Sequence, residues 1–572
     1  MSEKKGKGCL IAAIIFLIFI VFTIILFFSV KSALNPMPTV KDNSVLIINL
    51  KGEIPEYSEQ KNISDFLKPK ILSFADMYKI LKYAAKDKKI KGIYLKISNP
   101  TIGFAKIQEL LNLLNEFKKS GKFVYSYIDV SSENGYWISL PSDKIVMPES
   151  GYLEINGFKI GNMYFKELLS KLGIEAEVVN IGKYKSFGDI FKRKNMSEAD
   201  REQLTLLLDN IYNTFVKDVS KFRKFDKNYV KNKIEEGIFL PEKALKSKFI
   251  DEITYEDKFL SKIKDFSKIE GIKYLKTIPH TFSTKKIAVV FVDGGIGMGR
   301  GGYDPLMGKV VGSDEIIKIF KKIRKDKRIK GVVLRINSPG GSATASDLIW
   351  REIRKTDEVK PVIASMSNVA ASGGYYLSVA CRKIVADPLT ITGSIGVVSI
   401  IFNLENLYKK VGINVEILKK GKWADFPTGN RALTEEEWKK FREGSESFYK
   451  IFVNKVAKGR RKSFDEIDKV ARGRVWSGKD AHTVGLVDSL GGLEEAIELA
   501  KNEARIGKNE KVGIIFYPKK KKLFDIIAEN LENSEKIIFN RKGLREKIIE
   551  NFKKYREKSP YLYLMENKIE VE

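Results

Sequence analysis

The sequence has few residues of the kinds that cross-link a fold or hold a metal ion. Its 572 residues include two cysteines, Cys9 and Cys381, and two histidines, His280 and His482. Two cysteines cannot staple a chain of this length, so cysteine gives no evidence about the redox compartment. The sequence contains no HExxH motif, no cysteine cluster and no Walker loop. It therefore predicts no metal site and no cofactor.

The scarcity of histidine also limits the possible catalytic groups. A serine hydroxyl is a poor nucleophile until a base removes its proton, and histidine is the usual base. His280 lies in a segment that reads as a connection, and His482 lies near a predicted helix end. Neither position has the context of a catalytic histidine, which argues against a Ser-His-Asp triad.

Acidic residues are fewer than basic ones. The chain has 102 Lys and Arg against 72 Asp and Glu, a formal net charge of +30. The two signs are interleaved along nearly every predicted helix, which is typical of solvated helix faces. The densest basic run, Lys519–Lys522, is too short to form a groove. The sequence therefore predicts no nucleic-acid partner.

One long hydrophobic run is present, at the amino terminus. Residues 10–30 carry no charge and are long enough to cross a bilayer. Lys4, Lys5 and Lys7 precede the run, so the positive-inside rule puts residues 1–9 in the cytoplasm and the rest outside. The alternative is a cleaved signal peptide, which the long run and the lack of a small-x-small site disfavour. We expect a single-pass anchor that contacts membrane lipid.

The chain repeats itself over a long period. The run 86–92, KDKKIKG, recurs at 325–331 as KDKRIKG, a shift of 331 − 92 = 239 residues. The same shift maps Gly182-Lys183 on Gly421-Lys422. A repeat of this length indicates a duplicated domain rather than a short-period solenoid.

Each copy alternates apolar strands with amphipathic helices. This order predicts an α/β fold of mostly parallel sheets covered by helices. The predicted strands are 44–50, 92–97 and 123–127 in the first copy and 286–292, 331–336 and 362–366 in the second. The predicted helices are about 74–86, 105–119, 314–325 and 343–356.

The expected domain organisation follows from the anchor, the repeat and the residues between them. It comprises a cytoplasmic amino end (1–9), a transmembrane anchor (10–30), a first domain (44–270), a linker (271–285), a second domain (286–516) and a basic helical tail (517–572).

The candidate nucleophile lies in the second copy. Ser372 is at a strand-to-helix turn and is followed by two glycines that leave it unshielded. The strand 331–336 ends in NSPGGS, where the adjacent Gly340 and Gly341 let a backbone N–H approach an anion. The first copy has no such glycine pair at the matching residues, and Glu133 stands at the position of Ser372. Ser394 likewise maps on Ile155.

The second copy has in turn lost a residue that the first copy keeps, a lysine. Lys185 in the first copy faces Ala424 in the second, so one copy keeps the serine and the other keeps the lysine. Two independent decays would also produce this pattern, but retention of one composite site explains both losses more simply. Burial lowers the pKa of a lysine and lets it act as a base, so we expect a site closed off between the two domains.

These residues resemble a known family. Ile336–Ser342 (INSPGGS), Ala370–Tyr375 (AASGGY) and Thr392–Gly396 (TGSIG), with Gly182–Ser186 (GKYKS) in the first copy, are similar to signal peptide peptidase A. The resemblance is to the long, duplicated bacterial form with an amino-terminal anchor, and it covers about residues 1–516.

The resemblance implies two tandem crotonase-like domains, as in the Clp protease proteolytic subunit, and a serine protease with a Ser/Lys dyad. It implies that Ser372 is the nucleophile and Lys185 the general base. The N–H groups of Gly373 and Gly340 would form the oxyanion hole, and Ser394 would help to orient the lysine. It further implies a homotetramer on the outer side of the bacterial inner membrane that degrades cleaved signal peptides.

Two other functions remain open at this point. A crotonase-type acyl-CoA hydratase or isomerase also uses paired amides against an oxyanion, and an inactive membrane scaffold could retain a decayed protease fold. The sequence leaves open the preferred cleavage sites and the role of the tail 517–572. It also leaves open whether Ser372 and Lys185 meet within one chain or across subunits.

Overall fold

The computed structural model describes most of both copies and little of the two termini. The described residues are 22–23, 38–58, 71–279, 283–305, 307–507, 510–520, 526 and 561–564. Apart from residues 22–23, the predicted anchor lies outside them. Within these ranges, no helix is both long and apolar enough to span a bilayer.

The first copy alternates strands and helices. Its strands are β1 (Ser44–Glu53), β2 (Ile90–Thr101), β3 (Phe123–Ile128), β4 (Val130–Ser131), β5 (Lys144–Met147), β6 (Tyr152–Ile155), β7 (Glu175–Ile181), β8 (Gly237–Phe239), β9 (Glu252–Ile253) and β10 (Ser267–Glu270). Its helices are Phe74–Ala84, Phe104–Lys119, Glu133–Ser139, Lys166–Leu172, Asp189–Lys192, Glu198–Arg223, Lys227–Ile234, Pro241–Lys246, Glu256–Ser261 and Gly271–Thr277.

The second copy continues the same alternation. Its strands are β11 (Lys286–Asp293), β12 (Gly295–Gly297), β13 (Gly302–Asp304), β14 (Gly308–Gly312), β15 (Ile329–Ser338), β16 (Gly340–Ser342), β17 (Val362–Ala371), β18 (Lys383–Ala386), β19 (Ile391–Gly393), β20 (Val397–Asn403), β21 (Val475–Ser477), β22 (Ser489–Leu490) and β23 (Gly513–Tyr517). Its helices are Ser313–Lys325, Ala343–Asp357, Gly373–Ser378, Glu405–Lys410, Glu435–Arg460, Phe464–Val470, Gly478–Thr483 and Leu493–Glu503.

The strands predicted from apolar runs form the centres of two sheets. The first sheet has the order β10-β1-β2-β3-β5-β9 and is parallel throughout. The second has the order β21-β19-β17-β15-β11-β23, with β18 beside β17, and only β21 runs antiparallel. Strands covered on both faces read as continuous apolar runs, which is why their positions could be predicted. The α/β prediction is confirmed.

The structural details of the two copies match, as a tandem duplication requires. Each copy has a 26-residue helix, Glu198–Arg223 or Glu435–Arg460. The last arginine of each helix forms an ion pair with an aspartate at 2.8 Å, Asp251 in the first copy and Asp488 in the second. Each aspartate also accepts an N–H from the second residue of the equivalent strand, Ile145 of β5 or Ile384 of β18.

A third sheet joins the two copies. Strand β7 of the first copy pairs antiparallel with β20 of the second over seven residue pairs, from Ile181↔Val397 to Glu175↔Asn403. The full order of this sheet is β13-β14-β12-β16-β24-β20-β7, where β24 is Tyr561–Leu564. The pairing brings the loop after β7 next to the turn before β20.

Four residues of the predicted helical tail form a strand instead. Tyr561–Leu564 is β24, which follows Pro560 and alternates tyrosine with leucine. Proline disfavours helix, and aromatic residues favour strands. β24 lies between β16 and β20 in the sheet that joins the copies.

A buried ion cluster fixes the second copy against the first. Arg335 of β15 is completely buried and donates to Glu56 Oε1 at 2.7 Å and to Glu109 Oε1 at 2.6 Å. Burial alone lowers the pKa of Arg335, but the two carboxylates outweigh it and raise that pKa above its usual value. The guanidinium of Arg335 therefore stays charged inside the interface, whereas burial raises the pKa of Glu109 although Arg335 acts in the opposite direction.

Replacing Arg335 by leucine leaves two buried carboxylates without their cation. Such a loss costs about 3–5 kcal/mol of unfolding free energy, so we expect the urea midpoint of Arg335→Leu to fall clearly. Arg328, whose side chain is 63% exposed beside Asp326, offers a matched control, and Arg328→Leu is expected to unfold at the wild-type midpoint. Equal midpoints for both variants would show that the cluster does not hold the copies together.

Candidate active site

Ser372 occupies the turn between strand β17 and the helix Gly373–Ser378. Its backbone has φ 53° and ψ −114°, a conformation that costs energy for a residue with a side chain. The strain is held in place because the Ser372 N–H donates to Gly393 O at 2.9 Å and its carbonyl accepts from Tyr376 at 2.8 Å. Ser372 is completely buried. The fold thus presents one hydroxyl at a fixed position.

Lys185 reaches the same point from the first copy. It lies in the loop after β7, where the Tyr184 N–H donates to Arg472 O of the second copy at 2.9 Å. Gly473 packs directly on the lysine, and a Cβ at that glycine would come within 2.5 Å of Lys185 N. Any larger residue at 473 would push the lysine away.

The two candidate residues are in hydrogen-bond contact within one chain. Lys185 Nζ lies 3.0 Å from Ser372 Oγ, and it donates to Ser394 Oγ at 2.8 Å and to Ser394 O at 3.2 Å. Lys185 is only 1% exposed, and both serines are completely buried. Burial penalises the charged ammonium and favours the neutral amine. A neutral amine beside a hydroxyl can remove its proton.

Ser394 is positioned by the turn between β19 and β20. Its N–H donates to Arg474 O at 2.7 Å, and its backbone has φ 49°. Two of the contacts of Lys185 Nζ, with a side-chain and a main-chain oxygen, are therefore made by this one residue.

Replacing Ser394 by alanine removes the side-chain contact but leaves the carbonyl contact. We expect kcat for peptide hydrolysis to fall roughly 10- to 100-fold, because misplacing a reacting group by about 1 Å can cost that much. Steady-state kinetics on a fluorogenic peptide measure the change. Ser394→Thr keeps a hydroxyl and is expected to recover part of the rate, whereas an unchanged kcat in Ser394→Ala would remove the orienting role.

The two glycines expected to form an oxyanion hole lie next to each other. A Cβ on Gly373 would be 3.1 Å from Gly340 Cα. Gly373 is the first residue of its helix, and first-turn N–H groups have no partner within a helix. The Gly340 N–H, in contrast, donates to Ser338 Oγ at 3.2 Å. No motif in the sequence indicates this contact, which an oxyanion would have to share or replace.

In the first copy, the positions equivalent to Ser372 and Ser394 are occupied by Glu133 and Ile155. The Glu133 carboxylate accepts the N–H groups of Asn156 at 2.7 Å and Gly157 at 2.8 Å. Burial raises the pKa of Glu133, although both N–H groups act in the opposite direction. Ile155 is part of the first core. Ala424 is exposed, so the second copy offers no base of its own there.

The sequence did not indicate Gln203, whose side chain supports the loop that carries Lys185. This buried residue of the first copy's long helix donates from Nε2 to Tyr184 O at 3.2 Å. Its Oε1 accepts the N–H of Val475 in the second copy at 3.0 Å. One side chain therefore links the lysine loop to the segment after Gly473. Nothing in the spacing of the sequence singles it out.

No metal site emerges from the part of the chain that the structure describes, where no three His, Cys, Asp or Glu side chains are grouped to hold an ion. His482 is exposed in the helix Gly478–Thr483, and His280 lies outside the described residues.

The sequence is similar to known peptidases. The model of peptidase family S49 matches it twice, over residues 116–270 and 354–507. It is 38% identical over 496 residues to the chloroplastic serine protease SPPA of Arabidopsis thaliana, covering 84% of this chain and 72% of that protein. It is 32% identical over 483 residues to Protease 4 of Salmonella typhi, covering 81% and 76%. Protease 4 of Haemophilus influenzae is 31% identical over 532 residues, covering 86% and 84%.

Proposed function

Because the chain belongs to peptidase family S49 and is a serine protease, we propose that Ser372 is its nucleophile and Lys185 its general base. The observation that carries this proposal is the 3.0 Å contact between Lys185 Nζ and Ser372 Oγ. It joins a buried amine to a serine held in a strained turn. Each residue comes from the copy that retained it, which explains why neither copy has a complete site.

The reaction begins with neutral Lys185, which takes the proton of Ser372 Oγ as the oxygen attacks the carbonyl carbon of a peptide bond. The N–H groups of Gly373 and Gly340 stabilise the resulting oxyanion, and the Gly340 N–H turns from Ser338 Oγ toward it. The protonated lysine then gives its proton to the leaving amine. Water, activated by the same lysine, hydrolyses the acyl-enzyme.

Ser394 acts in this scheme through Lys185. Its hydroxyl and carbonyl accept two hydrogen bonds from Nζ, which leaves the amine directed at Ser372. We assign it a positioning role. The first domain (44–270) thus supplies the base and the second (286–516) the nucleophile and the oxyanion hole, with the linker 271–285 between them.

We place the enzyme at the outer face of a bacterial inner membrane, as a homotetramer anchored by residues 10–30. Two features support this: the charge-free run behind three lysines, and the motifs shared with the long form of signal peptide peptidase A. An anchored endopeptidase suits cleaved signal peptides, which are apolar and remain in the membrane.

Of the two alternative functions, the acyl-CoA hydratase or isomerase is set aside because the family is one of peptidases. The other alternative, an inactive scaffold, predicts the opposite experimental result. A fluorophosphonate probe is expected to label Ser372 of the full chain, with the adduct located by peptide mass spectrometry. A chain that neither reacts with the probe nor hydrolyses peptides would be the scaffold.

A further inference from the structure

A charged and aromatic cluster lies beside Lys185, where the two copies meet. Arg474 of the second copy donates from Nη1 to Tyr184 Oη at 3.2 Å and forms an ion pair from Nη2 with Glu202 Oε1 at 3.0 Å. The Tyr184 hydroxyl donates to the other oxygen of Glu202 at 3.0 Å. Tyr184 directly precedes Lys185, and Glu202 lies in the first copy's long helix. The three side chains thus form a closed set of contacts across the interface.

Two aromatic rings hold the guanidinium of Arg474. Its central carbon lies 4.8 Å from the ring centroid of Tyr184 and 4.5 Å from that of Trp476. Trp476 is itself fixed, because its Nε1 donates to Val470 O at 2.9 Å. Cation–π attraction strengthens as a cation loses solvent, and the Arg474 side chain is only 18% exposed. The guanidinium therefore has a defined position against Tyr184.

The main chain of Arg474 contacts the other neighbour of the lysine. Its carbonyl accepts the N–H of Ser394 at 2.7 Å, and Ser394 accepts two hydrogen bonds from Lys185 Nζ. Arg474 therefore contacts the residue before Lys185 through its side chain. Through its main chain it contacts the residue that accepts from the amine.

The first copy has no equivalent of this arginine. Gly237 matches Arg474 with a shift of 474 − 237 = 237 residues, the shift that also maps Asp251 on Asp488. The structure supports the match, because the strands at these positions, β8 and β21, pair antiparallel with the equivalent strands β6 and β19 in the same register. The copy that lacks the candidate nucleophile thus also lacks the guanidinium.

The second copy has in turn lost the two residues that contact the arginine. Lys439 matches Glu202 with the shift 439 − 202 = 237, so the charge is reversed. Trp423 matches Tyr184 with the shift 423 − 184 = 239, and tryptophan has no hydroxyl. The carboxylate, the phenol and the guanidinium are therefore found together only in the combination of copies that also brings together the serine and the lysine. The cluster follows the dyad rather than the fold.

We propose that Arg474 is a positioning residue for the reaction, which holds Lys185 Nζ against Ser372 through Tyr184 and Ser394. This inference rests on the proposed Ser372/Lys185 mechanism. The side chain of Arg474 fixes the loop that carries the amine, and its carbonyl fixes the turn that accepts from the amine. Proton transfer from Ser372 Oγ to Lys185 Nζ depends on this geometry, since a displacement of about 1 Å can lower a rate about 100-fold.

The test is steady-state hydrolysis of a fluorogenic peptide by the full chain in detergent micelles. Arg474→Met removes the guanidinium and keeps most of the length of the side chain. We expect kcat to fall roughly 10- to 100-fold. We expect KM to stay within about threefold, because a change confined to the reacting groups lowers kcat and leaves substrate binding intact.

The same substitution in a chain without the amine separates positioning from a general loss of structure. If Arg474 acts through Lys185, then Arg474→Met lowers the residual rate of Lys185→Met no further, because no amine is left to position. A general loss of structure would lower the rates of both chains by the same factor.

Two further variants complete the set. Tyr184→Phe removes only the hydroxyl that accepts from Arg474, and it is expected to lower kcat roughly 3- to 10-fold. This variant decides the question if Arg474→Met does not fold. Arg382→Met is the matched control. It removes a guanidinium that pairs with Asp357 and Glu503 elsewhere in the second copy, and it is expected to keep the wild-type kcat.

Each contrary result has a distinct meaning. An unchanged kcat in folded Arg474→Met, or in Tyr184→Phe where Arg474→Met does not fold, overturns the positioning role. A loss confined to KM, a further loss in the Lys185→Met chain, or an equal loss in Arg382→Met overturns it as well. All of these results leave the dyad standing as long as Lys185→Met and Ser372→Ala lose activity. Wild-type activity in Lys185→Met overturns the proposed function itself.

Discussion

Replacing Ser372 by alanine is expected to lower kcat for peptide hydrolysis roughly 10⁴- to 10⁶-fold, the loss seen when a serine protease loses its nucleophile. The reason is that the alanine chain has no oxygen to form the acyl-enzyme. The oxyanion glycines remain and leave a small residual rate. Hydrolysis of a fluorogenic peptide measures the loss, and labelling by a fluorophosphonate should disappear with it.

The matched control for this substitution is Ser378→Ala. Ser378 is also buried, lies in the helix that begins after Ser372, and donates to Gly374 O at 3.0 Å. Ser378→Ala removes a similar buried hydroxyl from the helix Gly373–Ser378 and is expected to leave kcat within a few-fold of the wild-type value. Unchanged hydrolysis by Ser372→Ala, with wild-type thermal stability, would contradict the dyad.

Replacing Lys185 by methionine removes the amine but keeps the length of the side chain. We expect kcat to fall roughly 10²- to 10⁴-fold, the range for loss of a general base. The wild-type rate should also decline as the pH is lowered, because protonation of the amine removes the base. In Lys185→Met, the residual rate should lose that dependence. A pH–rate profile of both chains on the same peptide tests this.

Lys183 provides the control for the lysine substitution. It lies two residues away in the same loop, is exposed, and stands over the ring of Tyr184 at 5.1 Å. Lys183→Met is expected to keep wild-type activity and the wild-type pH profile. If Lys185→Met retained most of the activity, the base would have to be another group.

The sheet strands could be predicted because continuous apolar runs indicate strands that are buried on both faces. The runs 92–97 and 331–336 are apolar because both faces of each strand are covered. The observed strands, Ile90–Thr101 and Ile329–Ser338, contain these predicted runs and extend a few residues beyond each end. The contact between Lys185 and Ser372 could be predicted from a different signal: the first copy has Glu133 in place of the serine, and the second has Ala424 in place of the lysine.

The contacts that hold the site together could not be predicted, because they depend on the meeting of distant segments. β7 and β20 pair across more than two hundred residues, and neither sequence specifies the other. Gln203 bridges the copies through backbone atoms of Tyr184 and Val475, which carry no sequence signature. Gly473 has φ 83° and packs directly on Lys185, a contact that no pattern in the sequence indicates.

The strand in the carboxyl-terminal tail could not be predicted either, because it depends on distant segments. The many lysines of the tail predict a solvated helix, and strand formation at Tyr561–Leu564 depends on the unpaired edges of β16 and β20. Those edges exist only in the assembled fold. A short alternating segment of this kind has no stable structure until a sheet accepts it.

The antiparallel pairing of β7 with β20 joins segments that are synthesised at different times. Ser372 follows Lys185 by 187 residues, so a ribosome adding about 5–20 residues per second delivers the proposed nucleophile about 10–40 s after the proposed base. During that interval the emerging chain has no complete site and cannot attack itself or its neighbours. With the proposed dyad divided between the two halves, the chain is expected to hydrolyse peptides only after both halves have been synthesised and have paired.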